Sequence, residues 1–347
     1  MSTPNFKVLL QVFLSVLALG FLGCNGNGIG SSGPTGTFNL SISDTPVDGA
    51  TSVLITFTGV EVQPGSGGDQ QDQTSGSGDD QGDDDNTPAP GAGTQSGASG
   101  TDDDQEGNDN SGSSKPLEFN FSSPMTIDLL KQQGGNSASL LNGVSLPAGH
   151  YEWIRLKLAT TNCCTITLTD GSVHPLTVPS GDESGLKLVH GFTVAAGGAV
   201  NFTIDFDLRR SVVLENGQYH LKPVLRITDN EDTGHIHGVV ANTLSIGSTA
   251  ITNPACKPAA YVYAGDNVTP VDINPVSTIQ PATTATVALN NDTGNYEYNA
   301  GFLASGDYTV ALTCAANDNP ATVDNLTFTA TKNATVTADM TTEVDFP

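Results

Sequence analysis

Phe202, Ile204, Phe206 and Leu208 recur at every second position of AVNFTIDFDLRR, with Thr203, Asp205, Asp207 and Arg209 between them. A period of two puts the two sets on opposite faces of an extended strand, which no α-helix accommodates. The expectation is a sheet packed on one side, with the apolar set in the core and the polar set in water. GTFNLSISD alternates in the same way through Phe38, Leu40 and Ile42, and SVLITFTGVEVQ repeats the pattern from Ser52. Further strand candidates are YEWIRLKLAT, TITLTDG, HPLTV, GLKLVHGFTVA, YHLKPVLRIT and HIHGVV, the last reaching Val240. Residues 241–256 read as a linker. AAYVYAG, TATVALN, GNYEYNAGF, DYTVALTC, NLTFTA and ATVTADM then form a second alternating set between Gly, Asn, Asp and Pro turns. The chain therefore reads as all-β, with two antiparallel β-sandwich domains of Ig-like or prealbumin-like type over 36–240 and 257–347.

One stretch breaks the pattern. Residues 63–114 hold twelve acidic residues and twelve glycines, with no Lys, Arg, aromatic, Val, Ile, Leu or Met. Such a segment cannot bury enough apolar area to offset its ordering entropy, so it reads as a disordered insertion in a surface loop of the first domain. Its DDQGDDDN and DDDQEGNDN clusters lack the D-x-[DN]-x-[DN]-G alternation and the flanking helices of a calcium loop.

A device also recurs. LPAGHY from Leu146, LENGQY from Leu214 and LASGDY from Leu303 share Leu-x-x-Gly-x-Tyr before an apolar strand. Gly suits a turn that needs positive φ, and a Tyr hydroxyl can satisfy loop backbone groups. The unequal spacing excludes a solenoid period and makes the device edge architecture.

The N-terminal stretch bears on location. Lys7 precedes VLLQVFLSVLALGFLG, a run of sixteen residues from Val8 to Gly23, ended by Cys24. A spanning helix needs about 20 residues, so 1–23 reads as a signal peptide. FLGC resembles a bacterial lipobox, although Phe21 stands where that motif usually has Leu; the resemblance implies lipid attachment at Cys24. Residues 24–35 are a Gly/Ser-rich tether. By resemblance to lipoprotein sorting rules, Asn25 after the Cys implies the outer membrane of a bacterial envelope, periplasmic or surface facing.

Export permits disulfides. Cys256 precedes AAYVYAG and Cys314 follows TVAL, so a bridge between them is expected, closing a loop worth ~2–4 kcal/mol. Adjacent Cys163 and Cys164 point to opposite faces if both lie on a strand, leaving a buried thiol, a strained mutual bridge and a distant partner all open.

Twelve Lys and Arg face thirty-seven Asp and Glu, a net charge of −25. That balance excludes the basic footprint of a nucleic-acid binder. No G-x-S-x-G elbow, H-E-x-x-H, P-loop or dinucleotide fingerprint is present, so no enzyme and no cofactor is expected. Asp205 and Asp207 are spaced like the paired acids of inverting glycosidases, at about 6–7 Å on one strand face. Solvation, or orientation of Arg155 or Arg209, is the simpler role for them. His235 and His237 share a face near Asp229, Glu231 and Asp232, which makes half of a zinc site; His150, His174, His190 and His220 would have to converge to complete it. Tyr151 and Trp153 alternate with Arg155 and are candidate ligand contacts, as a glycan-stacking strip or as a face covered by other parts of the chain. Tyr261 and Tyr263 pose the same choice.

GTFNLSISDTPVDGATSVLITFTGVEV, LPAGHYEWIRLKL, GFTVAAGGAVNFTIDFDLRRSV and GQYHLKPVLRI together resemble the DUF4382 domain of bacterial lipoproteins. Asp44, Pro46, Val47 and Val60 look like its first signature, Gly149, Tyr151 and Arg155 its second, and Asp205, Phe206 and Asp207 its third. The resemblance implies an exported β-rich domain behind a lipidated Cys. GNYEYNAGFLASGDYTVAL is similar to carboxypeptidase-regulatory or transthyretin-like sandwiches. The function expected from all of this is a non-enzymatic envelope lipoprotein with a structural or binding role. The alternative is a module that recognises a glycan or an envelope protein through aromatic residues or the cleft between domains. A metal-dependent enzyme would require His235 and His237 to converge with a third ligand.

Overall fold

The computed structural model describes residues 33–47, 49–65, 115–179, 185–314 and 320–347. The expected signal peptide over 1–23, the expected lipidation site Cys24, nearly all of the expected tether and residues 66–114 of the insertion lie outside these.

Nearly all the regular structure of the described residues is strand. The first half contains β1 (Thr35–Thr45), β2 (Ala50–Pro64), β3 (Leu117–Asp128), β4 (Ala138–Pro147), β5 (Gly149–Leu158) and β6 (Cys164–Leu168). It continues through β7 (Val173–Thr177), β8 (Leu186–Val194), β9 (Ala199–Asp207), the helical turn α1 (Leu208–Ser211), β10 (Val212–Glu215), β11 (Gln218–Leu221) and β12 (Leu225–Asp229). The second half contains β13 (Thr233–Val240), β14 (Ser245–Ile246), β15 (Thr249–Ala250), β16 (Ala259–Ala264) and β17 (Thr283–Thr286). The last strands are β18 (Ala288–Leu289), β19 (Tyr296–Ala304), β20 (Gly306–Thr313), β21 (Lys332–Val336) and β22 (Thr341–Glu343).

Two sheets form the first sandwich. One has the order β12-β9-β1-β4, and the other β10-β11-β7-β6-β2-β5-β8 with β3 on the free side of β2. Their shared core contains Phe38, Ile42, Phe57, Ile154, Phe202 and Phe206. The expected inward set is buried as read: Phe202, Ile204 and Phe206 on β9, and Leu208 at the start of α1. In the second sandwich, β18-β19-β13-β22 faces β17-β16-β20-β21 across a core that includes Ile236, Val262, Tyr298 and Val310. Cys256 and Cys314 form a disulfide at the edge of that core, as expected.

Several details depart from the sequence reading. Three pairings are parallel: β1 with β9, β7 with β11, and β13 with β22. The segment HIHGVV, read as the end of the first domain, lies in β13 and pairs with β19 and β22 of the second sandwich. The stretch read as a linker contributes the β14–β15 ribbon and buries Ile246 and Ile251 in the second core. A strand too short to show alternation has no periodic signal, so its membership is settled by pairing alone. NLTFTA forms only a single bridge, Phe328 to Thr313.

The largest departure concerns the polar face of β9. Asp205, Asp207 and Arg209 are buried, not solvated. Their side of the sheet is roofed by the second sandwich, and Arg209 donates from Nε to Thr284 Oγ1 at 3.0 Å on β17. Alternation identifies two faces but cannot say that a later part of the chain covers the second one.

The Leu-x-x-Gly-x-Tyr device resolves into two kinds. At Gly149 and Gly306 the chain leaves one sheet and enters the other, from β4 to β5 and from β19 to β20. Both glycines have φ 155°, and both preceding leucines, Leu146 and Leu303, are buried. Tyr151 Oη donates to the Pro147 carbonyl and Tyr308 Oη to the Ala304 carbonyl, each at 2.8 Å. The copy at Gly217 is a two-residue hairpin within one sheet, with Asn216 and Gly217 both at positive φ and Leu214 exposed. Asn-Gly is the ordinary sequence of such a hairpin, whose twist matches its strands.

Candidate functional site

β1 and β9 run side by side, and register sets Ser43 beside Asp205, Asp44 beside Phe206 and Thr45 beside Asp207. Asp205 and Asp207 thus share the face under the second sandwich, while Asp44, beside the core-facing Phe206 at the strand end, is close enough to feel both charges. Asp205 is held by Arg226 Nη2 at 2.7 Å and by Ser43 Oγ at 3.2 Å. Asp207 accepts from the Arg210 backbone at 3.0 Å, capping α1, and lies 3.7 Å from the Arg210 guanidinium. The arginines paired with these acids are Arg226 and Arg210, rather than Arg155 or Arg209 as read from the sequence. Burial raises the pKa of Asp207, opposed by Arg210.

Asp44 is different. Its Oδ2 accepts from Gln133 Nε2 at 3.5 Å and the Leu208 backbone N–H also stabilises the carboxyl, while the buried Oδ1 has no hydrogen-bond partner of good geometry among the described residues. Burial first, then the charges of Asp205 and Asp207, push its pKa well above the ordinary carboxylate value.

Asp44 lines a cleft of about 510 Å³ between the two sandwiches. One wall is the loop at Gln133, with Ser43 and Thr45; the opposite wall carries Thr284, Asn299 and Phe302. Asn299 Nδ2 donates to the Gly134 carbonyl at 2.8 Å and ties the walls together. Between β13 and β19 a register shift sets Gly301 and Phe302 opposite the single residue His235. Phe302 there has φ 51°, which is rare for a bulky residue. Bulges of this kind re-aim side chains, and non-glycine residues at positive φ cluster at ligand sites.

The histidine candidates do not converge. His235 is half-buried against Gly135, Gly301 and the Phe302 ring, and burial lowers its pKa. His237 sits at the cleft edge with Nδ1 2.7 Å from Glu343 and Nε2 3.8 Å from Glu297. Among the described residues, no three His, Cys, Asp or Glu side chains form a metal-ligating group.

Tyr151 and Trp153 do not form one strip. The pairing of β5 with β8 shifts register between them, as does its pairing with β2. The extra residue puts Tyr151 on the core side with Ile154, where its ring stacks on Phe192 at 5.1 Å. Trp153 stays on the outer face and half-buried, with Arg155 and Lys187 over its ring at 4.8 and 4.6 Å. Tyr261 and Tyr263 are also buried, and Tyr263 donates to the Val271 carbonyl at 2.6 Å, under the chain's own loop. Cys163 lies in the turn before β6 rather than on the strand, so it can face its neighbour; the Cys163 and Cys164 sulfurs are 2.6 Å apart.

Sequence reasoning missed Thr284, Asn299 and Phe302; the last two stand in GNYEYNAGFLASGDYTVAL, which was read only as a fold resemblance. Asp44 was visible only as a residue of the DUF4382 signature.

No curated protein matches the chain. Among solved structures it is similar, at 8% identity and a TM-score of 0.17, to a DUF1812 protein of Bacteroides thetaiotaomicron that has been proposed to bind polysaccharide. The match covers 81% of this chain and 78% of that one, and the score is too low for fold or ligand to carry over. The family model described as a domain of unknown function, DUF4382, matches residues 35–223. Those residues hold the whole first sandwich up to β11, with Asp44, Asp205 and Asp207, and the chain belongs to the DUF4382 family.

Proposed function

We propose that the protein is a non-enzymatic binding module, exported by residues 1–23 and tethered by lipid at Cys24 to a bacterial outer membrane. Its cleft between the sandwiches takes a neutral, hydroxyl-rich ligand such as a short glycan. The observation that carries this reading is Asp44: a buried carboxyl at the cleft, one oxygen of which has no hydrogen-bond partner of good geometry among the described residues. A buried acceptor without a partner costs about 1–3 kcal/mol, and a ligand hydroxyl removes that cost. Thr45, Gln133, Thr284 and Asn299 add short polar side chains, while Phe302 supplies an aromatic surface. The cleft volume of about 510 Å³ is within the range of small-ligand sites. The raised pKa of Asp44 supports a neutral ligand, because a carboxyl that resists ionisation can both donate to and accept from a hydroxyl.

Calorimetric titration with a panel of neutral oligosaccharides tests the reading. At least one should bind, and Asp44→Ala should weaken it about tenfold or more, since a site built around a hydroxyl loses most when that partner goes. Glu152→Ala, exposed on the far side of β5, should bind as the parent does. Failure of the whole panel, or equal affinity in Asp44→Ala, sinks the assignment. The anchor is tested separately: Cys24→Ala should abolish labelling by a fatty-acid probe and release the protein from membranes.

A further inference from the structure

Neighbouring residues of a regular strand point to opposite faces, which would hold the sulfurs of a Cys-Cys pair apart. At Cys163 and Cys164 the chain departs from that pattern. Asn162 takes φ 48°, a left-handed conformation that asparagine tolerates better than most residues, and β6 begins only at Cys164. Cys164 lies in the first core with Ile166, and Cys163, still in the turn, is buried in the same core.

The two sulfurs stand 2.6 Å apart. Unbonded heavy atoms pack best at about 3.5–4.0 Å, whereas a disulfide needs about 2.05 Å, so the pair stands nearer to a bond than to a packing contact. The turn that presents it is held by β2. Thr56 donates its N–H to the Cys163 carbonyl at 2.8 Å, and its own carbonyl accepts from the Ala159 N–H at 2.9 Å. Ile55 pairs with Cys164 across β2 and β6. Disulfides form and persist in oxidising compartments, and this chain already contains one at Cys256 and Cys314.

We propose that Cys163 and Cys164 close to a vicinal disulfide as the chain folds, a covalent clasp on the turn between β5 and β6. The step is an exchange with an external disulfide. One cysteine thiolate attacks it, forms a mixed disulfide and releases the first external thiol; the neighbouring thiolate attacks that bond and releases the second. The cysteine pair loses two protons and two electrons, and the external disulfide takes up both and departs as two thiols. A bond between neighbours closes almost no chain, so it adds little to global stability and leaves melting nearly unchanged. Its strain sets it apart. Neighbouring Cα atoms are ~3.8 Å apart across a trans peptide, below the ~4.4–6.8 Å that a disulfide ordinarily spans. Those of Cys256 and Cys314 are 4.6 Å apart, within that span. Strained bridges are the more easily reduced, so the vicinal pair should open first.

Thiol blocking followed by peptide mass spectrometry reads the bond directly. The full chain, purified without reductant, is unfolded in guanidinium with N-ethylmaleimide present and then digested. The peptide holding Cys163 and Cys164 should carry no maleimide and weigh two hydrogens less than the dithiol. A maleimide on either cysteine, or a link from either to any other cysteine, overturns the proposal. Equilibration against graded ratios of reduced to oxidised dithiothreitol, before blocking, tests the strain. The vicinal pair should open at a ratio about tenfold lower than Cys256–Cys314 does. Opening at the same or a higher ratio overturns the strained clasp.

Discussion

Tyr151 Oη donates to the carbonyl of Pro147 four residues earlier, and Tyr308 repeats the bond to Ala304 at the same 2.8 Å in the other sandwich. Both bonds brace the point where the chain crosses from one sheet to its partner. Replacement by Phe keeps the ring and removes only the donor, leaving a carbonyl unsatisfied. Tyr151→Phe and Tyr308→Phe should each lower unfolding free energy by about 1 kcal/mol in urea titrations. Tyr219→Phe, from the hairpin copy, should change it by less than about 0.5 kcal/mol.

The register shift between Tyr151 and Trp153 makes a second prediction. Tyr151 is 2% exposed and stacked in the core, whereas Trp153 lies outside it. Tyr151→Ala should destabilise by about 3 kcal/mol or more, as large aromatic deletions from a core do. Trp153→Ala loses cation–π contacts, worth about 1 kcal/mol each at an exposed site. Equal effects in denaturant melts would contradict the placement of the bulge.

Asp44 and Asp207 set a pH dependence. Both carboxyls have raised pKa values, with burial as the largest cause. Between the ordinary aspartate value near ~3.9 and the raised folded values, the native chain therefore holds protons that the unfolded chain has released. Across that window stability falls as pH rises. Unfolding free energy should increase as pH drops from neutral towards the aspartate range, and Asp44→Asn should raise stability at neutral pH and flatten the slope. Glu118, Glu215 and Glu297 have lowered pKa values from hydrogen bonds and act in the opposite sense, but they are surface groups screened by solvent.

The bridge between Cys256 and Cys314 ties the start of β16 to the end of β20. Cys256→Ser with Cys314→Ser should cost about 2–4 kcal/mol. Melting of the double variant with and without reductant checks this, and reductant should affect only the parent.

The parts of this fold that the sequence revealed are those governed by local alternation. Phe202, Ile204 and Phe206 specify the inner face of β9, and Phe38 and Ile42 do so for β1. What covers the other face is a long-range fact: nothing near Asp205 or Arg209 says that Thr284 will lie above them. Bulges hide in the same way. One extra residue at Glu152 puts Tyr151 and Trp153 on opposite faces, and the nearby Pro147 and Gly149 read as the crossover turn rather than as a mark of the bulge. The Cys256–Cys314 bridge was legible because each cysteine borders a strand that the alternation defines. Phe302 was not, since its left-handed backbone comes from the pairing of β13 with β19.

The cleft floored by Asp44 is the centre of this account, and hydrogen exchange with and without a saturating neutral oligosaccharide tests it most directly. Exchange should slow together on the two facing walls, in Gln132–Gly135 and in Thr283–Thr286, with little change around Trp153. Unaltered exchange in both segments, or slowing confined to the outer face of β5 and β8, would contradict it.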